Sequence, residues 1–146
     1  MGNLKDIIGD AGRRAQVVQD CANLVDTEVS NKGGISGLAV KGAYAIVKKV
    51  KPGIVPELVD KLLEEFVAQL DPFCEAFKAQ GQGSLEGYLS GRATEVASAL
   101  LKTTDARAAK ADNRTLKGAY EKLRPTGVKH VEAAIPGIGR VLSKYV

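Results

Sequence analysis

Val55-Pro56-Glu57-Leu58-Val59-Asp60-Lys61-Leu62-Leu63-Glu64-Glu65-Phe66-Val67-Ala68-Gln69-Leu70 is the stretch whose reading decides the fold. Val55, Leu58, Val59, Leu62, Leu63, Phe66, Val67 and Leu70 recur at spacings of three and four, and Glu57, Asp60, Glu64 and Glu65 fall on the opposite side. That is one continuous amphipathic helix, with an apolar stripe wide enough to be the centre of a core.

The same period extends in both directions. Towards the N-terminus, Ala11, Ala15, Val18, Ala22, Val25 and Val29 predict a helix from about Asp10 to Ser30, ended by Asn31-Lys32-Gly33-Gly34. Ser36 then offers a cap for a helix from about Gly37 to Val50, stopped by Lys51-Pro52-Gly53 because the residue before proline avoids helical geometry. Towards the C-terminus, Asp71-Pro72 reads as the cap and first turn of a separate short helix carrying Phe73, Cys74, Ala76 and Phe77. Gly81-Gln82-Gly83 is a loop, and Ser84 caps a helix with the stripe Leu85, Tyr88, Leu89, Val96, Ala97, Leu100 and Leu101. Residues 103–114 read either as a polar helical extension or as a mobile linker. Leu116, Ala119, Tyr120 and Leu123 mark a short helix ending before Pro125, and Val128, Val131 and Ile135 mark another that Pro136-Gly137 is expected to break.

No strand pattern occurs, so the expected class is all-α: a compact multi-helix bundle forming one domain over residues 1–146. Leu58, Leu62, Phe66, Val18, Val25, Val47, Leu89 and Val96 are its expected core. Val40-Lys41-Gly42-Ala43-Tyr44 recurs as Leu116-Lys117-Gly118-Ala119-Tyr120, and a proline followed by an apolar helix comes after each copy. Two related helical hairpins are one reading, with the Gly-Ala pair allowing close helix approach and the tyrosine ring covering the contact.

Composition bounds the function. Hydrophobic residues make up 45% and charged residues 26%, ordinary values for a folded domain. The first residues lack the apolar core of a secretory signal, position 6 is Asp where a myristoylation signal has Ser or Thr, and no apolar run approaches the ~20 residues of a membrane span. A cytoplasmic location is therefore expected, with Cys21 and Cys74 as reduced thiols. Net charge is +4, and residues 103–146 carry nine Lys and Arg against four Asp and Glu.

Catalytic patterns come close and fail. Gly34-Ile35-Ser36-Gly37-Leu38 has its second glycine one residue early for a nucleophile elbow. Gly37 to Gly42 has phosphate-loop spacing but continues with Ala43 where lysine is needed, and Gly81, Gly83 and Gly87 miss the dinucleotide spacing. His130 is the only histidine, which rules out a two-histidine metal site and leaves no oriented partner for a general base. Asp60 and Glu64 share a helix face, where solvated surface is the expected role. No enzyme activity and no cofactor follow from the sequence.

Lys32-Gly33-Gly34-Ile35-Ser36-Gly37, Val40-Lys41-Gly42-Ala43-Tyr44, Val47-Lys48-Lys49-Val50-Lys51-Pro52-Gly53-Ile54-Val55-Pro56 and Leu70-Asp71-Pro72-Phe73 resemble an uncharacterised family of small helical bacterial proteins. The resemblance implies a bacterial cytoplasmic setting and brings no site residue with it. Ile135-Pro136-Gly137-Ile138-Gly139 is similar to the turn of helix-hairpin-helix modules, in which backbone N–H groups at a helix start accept a phosphate. That similarity implies Gly137, Ile138 and Gly139 as the turn, with Arg140 and Lys144 as phosphate contacts. A separate candidate surface for an anionic partner, whether nucleic acid, acidic protein or lipid, comprises Lys41, Lys48, Lys49 and Lys51 with Lys122, Arg124 and Lys129. The expectation is thus a non-catalytic helical interaction or ligand-binding protein, with nucleic-acid binding through the C-terminal turn as the alternative and homo-oligomerisation left open.

Overall fold

The stripe around Leu63 becomes the longest helix of the structure. In the computed structural model, which describes residues 4–145 apart from the side chains of Ile35 and Ser36, this helix spans Ile54–Gln80 (α4). Two glycines frame it, Gly53 and Gly81, both at φ +73°, a left-handed conformation that costs glycine little. Pro72, expected to open a new helix, lies inside α4 instead. Proline has no N–H for the Ala68 carbonyl, but both residues are exposed, so that carbonyl meets water and the helix runs on. Asp71 does not cap a helix; its carboxylate accepts the Leu4 N–H at 3.2 Å and fastens α1 (Leu4–Gly9) to α4.

Asp10 caps α2 (Ala11–Asn31) by accepting the Arg13 N–H at 3.0 Å. α3 (Gly34–Lys48) starts before Ser36, with Gly33 as its cap and no side-chain capping bond. Its first turn folds tightly back on the end of α2. A Cβ at Gly37 would stand 2.8 Å from the Lys32 carbonyl carbon, so the reversal requires glycine there. Ser84 caps α5 (Leu85–Ser90), accepting the Gly87 N–H at 3.0 Å. The single helix expected beyond Ser84 divides at Gly91-Arg92, before α6 (Ala93–Ala109). α6 thus absorbs most of the segment that read as extension or linker. Asn113 caps α7 (Arg114–Leu123), and a short 3-10 turn, Arg124–Thr126, leads into α8 (Gly127–Ser143). Among the described residues there is no strand, and no helix is long and apolar enough to cross a membrane.

α8 is the main correction to the sequence reading. It continues straight through Ile135-Pro136-Gly137-Ile138-Gly139, with Ile135, Gly137 and Gly139 buried. The two glycines serve packing. A Cβ at Gly139 would lie 2.6 Å from the Glu86 Cα on α5, and one at Gly137 would lie 2.5 Å from a Leu24 methyl on α2. Tight tertiary contact on two sides holds the segment helical against the local preference of Pro-Gly to break it.

The core joins Ile7, Leu89, Val96 and Ile135, the largest fully buried side chains, to Leu63, Val67, Leu70 and Cys74 on α4. Leu89 and Val96 are buried as expected, whereas Leu58, Leu62, Phe66, Val18, Val25 and Val47 are only partly so, because α4 turns Leu63 and Val67 most deeply inward. The repeated segments meet, α3 packing against α7. Ala43 and Ala119 are buried in matching places, but Gly42 and Gly118 face open space, so the glycines are not what lets the helices approach. The tyrosines also correspond: Tyr44 donates to Asp26 on α2 and Tyr120 donates to Asp105 on α6.

The glycine contacts generate an ordered prediction. Gly139→Ala pushes a methyl group against backbone, which cannot retreat, and is expected to destabilise the fold by ~1–3 kcal/mol; Gly137→Ala meets the mobile end of Leu24 and should cost less. Urea unfolding followed by circular dichroism checks the order, and equal stability of Gly139→Ala and the parent chain would contradict the packing described.

Candidate functional site

Buried and partly exposed apolar side chains together surround a half-open cavity in the bundle. α2 contributes Val17, Cys21, Leu24, Val25 and Val29, and α4 contributes Val59, Leu63, Phe66, Val67 and Leu70. α8 adds Val131, Ala134, Ile138, Val141 and Leu142, while α1, α6 and the single α3 residue Val40 complete the wall. The cavity measures about 360 Å³, and almost all of the surface it presents is carbon. Three successive turns of α2 and of α4 bring aliphatic side chains to it at helical spacing, which is the same period that made these helices legible as amphipathic.

Polar groups occur in the wall, and most are directed elsewhere. The Thr104 hydroxyl donates to the Leu101 carbonyl and pairs with the Tyr120 hydroxyl, and Tyr145 donates to Asp20 at 2.6 Å. Lys32 donates to the His130 carbonyl at 3.4 Å. His130 is the exception: its Nε2 is closed off from solvent and has no hydrogen-bond partner among the described residues. Burial, and then the nearby Lys32 charge, hold its pKa below the ordinary histidine value, so the ring is neutral at pH 7. Glu28, Lys32 and His130 bring charged or imidazole groups to the border of the cavity.

Both cysteines are free, and burial pushes each thiol up to about 11, with Asp20 adding to the effect at Cys21 and Asp71 at Cys74. These are inert core thiols, the opposite of an activated nucleophile. Among the described residues no cluster of three or more His, Cys, Asp or Glu is disposed to hold a metal. The carboxylates Asp60 and Glu64 both face Arg14, at 2.9 and 3.4 Å.

The sequence-derived phosphate site is not assembled. Gly137, Ile138 and Gly139 form no turn, and their amides lie within α8 rather than at its start. Arg140 pairs with Glu86 at 3.1 Å and Lys144 with Asp20 at 3.0 Å. The geometry that the helix-hairpin-helix similarity implied is therefore absent, because packing of α8 on α2 and α5 overrode the turn. Of the basic candidates, Lys51 is paired with Glu57 and Arg124 with Asp105, whereas Lys41, Lys48, Lys49, Lys122 and Lys129 are exposed. The ammonium of Lys48 lies over the Tyr44 ring. Sequence reasoning missed the cavity altogether. Its only trace there is a core built from Val, Leu, Ile and Ala with no tryptophan and three phenylalanines.

The chain belongs to a family of unknown function, DUF6918, whose model matches residues 4–146. This agrees with the family resemblance of the segments quoted above. No curated protein matches the chain, and no solved structure does.

The thiol environment sets a pH dependence. A raised pKa favours the neutral thiol in the folded state, so this contribution to stability is complete below the unfolded value of ~9 and is lost as pH rises towards about 11. The denaturation midpoint should fall over that interval, and Cys21→Ala with Cys74→Ala together should flatten the fall. An unchanged pH slope in the double variant would show that other groups govern it.

Proposed function

We propose that this protein is a non-catalytic binding protein of the bacterial cytoplasm that holds one hydrocarbon-rich molecule, an acyl or isoprenoid chain or a compact ring system, in the cavity between α2, α4 and α8. The observation that carries this reading is the cavity itself. Its volume of about 360 Å³ falls within the ~300–1,000 Å³ of small-molecule sites. Its wall is almost wholly apolar and half shielded from solvent, so a hydrocarbon group placed there leaves water on most sides. Native interiors are close-packed, so an apolar cavity on this scale favours a protein that receives a guest there.

The carbon surface of the wall selects the chemistry of the guest. With almost no polar surface on offer, the enclosed part of the ligand must be hydrocarbon, and any polar head belongs at the border near Glu28, Lys32 and His130. Each methylene withdrawn from water contributes ~0.8 kcal/mol, so a chain of about ten supplies ~8 kcal/mol against the cost of immobilising it. The two unactivated thiols fit a reducing compartment and a role without covalent chemistry.

Titration with the apolar fluorophore N-phenyl-1-naphthylamine tests the proposal. Saturable binding at one site per chain is expected, with displacement by a long-chain fatty acid or alcohol and a rise in melting temperature as ligand accumulates. Ala134→Phe projects a ring into the cavity and should weaken binding more than tenfold while leaving the fold at least as stable. Absence of saturable binding by the parent chain, or undiminished binding by this filled variant, would refute the reading.

A further inference from the structure

We infer that the outer face of α3 docks on an anionic lipid bilayer. The observation that starts the argument is α3 itself, which carries apolar residues on its outer face as well as on the side that is covered. Val40 and Ala43 are buried, with Tyr44 and Val47 partly covered on the same side. On the other side Leu38 is 71% exposed and Ile46 46% exposed, the two large hydrophobic side chains that stand out at the surface. Ala39, Gly42 and Ala45 are exposed between them, so the surface is a shallow strip of small residues with a bulky aliphatic group towards each end. A helix that is apolar on its outer face is one with an apolar environment to meet.

Charge identifies that environment. Residues 29–56 contain five lysines, at positions 32, 41, 48, 49 and 51, and no Asp or Glu. Lys41 and Lys48 are seven residues apart and therefore flank one side of the strip, while Lys49 continues its line one turn beyond Ala45; all three are exposed. Lys51 is paired with Glu57, and Asp26 of α2, bonded by Tyr44, is the one carboxylate among the described residues of the groove that Lys41, Lys48 and Lys49 line, so positive charge dominates there. Aliphatic side chains set beside exposed lysines make the pattern of an interfacial helix, in which the apolar groups enter the acyl boundary and the ammonium groups meet anionic headgroups. A folded acidic protein would satisfy the lysines as well. The bilayer is favoured because Val40, on the inner side of the same helix, belongs to the cavity wall. One helix thus separates a hydrocarbon-lined interior from the surface, and a bilayer is the source of hydrocarbon chains. This choice of occupant rests on the cavity reading, whereas the charge and exposure of α3 do not.

Co-flotation of the full chain with vesicles is the test, using phosphatidylcholine alone and phosphatidylcholine with phosphatidylglycerol. Binding is expected only to the phosphatidylglycerol vesicles, and it should weaken as salt is raised. Lys41→Glu, Lys48→Glu and Lys49→Glu combined should weaken it by about a hundredfold or more, given ~1 kcal/mol for each cation at such a surface. Leu38→Asp with Ile46→Asp should weaken it at least tenfold while the lysines remain. Both variants alter exposed side chains, and circular dichroism verifies that they fold. They should also bind N-phenyl-1-naphthylamine in solution like the parent chain. Loss of fluorophore binding in the parent would sink the cavity reading alone. Failure of the parent to float with phosphatidylglycerol vesicles, or flotation unchanged in either variant, would overturn the docking proposal. So would a dimer in solution that Leu38→Asp and Ile46→Asp dissociate, because the strip would then be a self-association surface.

Discussion

The close approach of α8 to its neighbours is the constraint from which the rest of the architecture follows. At Gly139 the backbone of α8 lies against the backbone of α5 at Glu86, and at Gly137 it lies against Leu24 of α2. No residue with a side chain fits the first contact without displacing main chain. Held on two sides, α8 stays helical across Pro136 and sets Ile135 at the centre of the core, fully shielded from solvent. The same placement turns Val131, Ala134, Ile138 and Val141 towards α2 and α4, where they become the cavity wall. Tightness at the glycines and openness at the cavity are two faces of one helix.

A cavity at the middle of such a bundle reflects the sizes of its side chains. α2, α4 and α8 present mainly Val, Leu, Ile and Ala to one another, and aromatic residues are only 5% of the chain. A phenylalanine or tryptophan in place of Ala134 or Val131 would close the space, so its persistence is written in the choice of small side chains along three helices. The stabilising packing lies around the cavity, where Leu63, Val67, Leu89 and Val96 bury their surface.

Much of this fold was legible in the sequence because helical periodicity is a local signal. The stripe of α4, the start of α2 at about Asp10, the Ser84 cap, the stops at Pro52 and Gly81, and the short helix before Pro125 all depend on residues a few positions apart. The departures share one cause. Pro72 and Pro136 look like breaks in sequence, but a proline ends a helix only when nothing else holds it: Pro72 sits where water takes up the unmatched carbonyl, and Pro136 sits where α2 and α5 enforce the conformation. The phosphate turn failed for the same reason, since Gly137 and Gly139 look identical in sequence whether they free the backbone or thin it for contact. The cavity was illegible because it belongs to residues more than a hundred positions apart, such as Val17 and Val141, and no spacing rule encodes a volume.

The tyrosines carry an optical consequence. The chain has four tyrosines and no tryptophan, so its intrinsic ultraviolet emission comes from phenols alone. Three of the four donate to a carboxylate on another helix or across a long span of chain: Tyr44 to Asp26, Tyr120 to Asp105 and Tyr145 to Asp20. A phenol becomes a much stronger acid on excitation, and a carboxylate already in place to take the proton quenches its emission. The folded molecule is therefore dim and brightens as those helix seams part, so light emission by the unlabelled chain reports directly on whether α3, α7 and the C-terminal end remain docked.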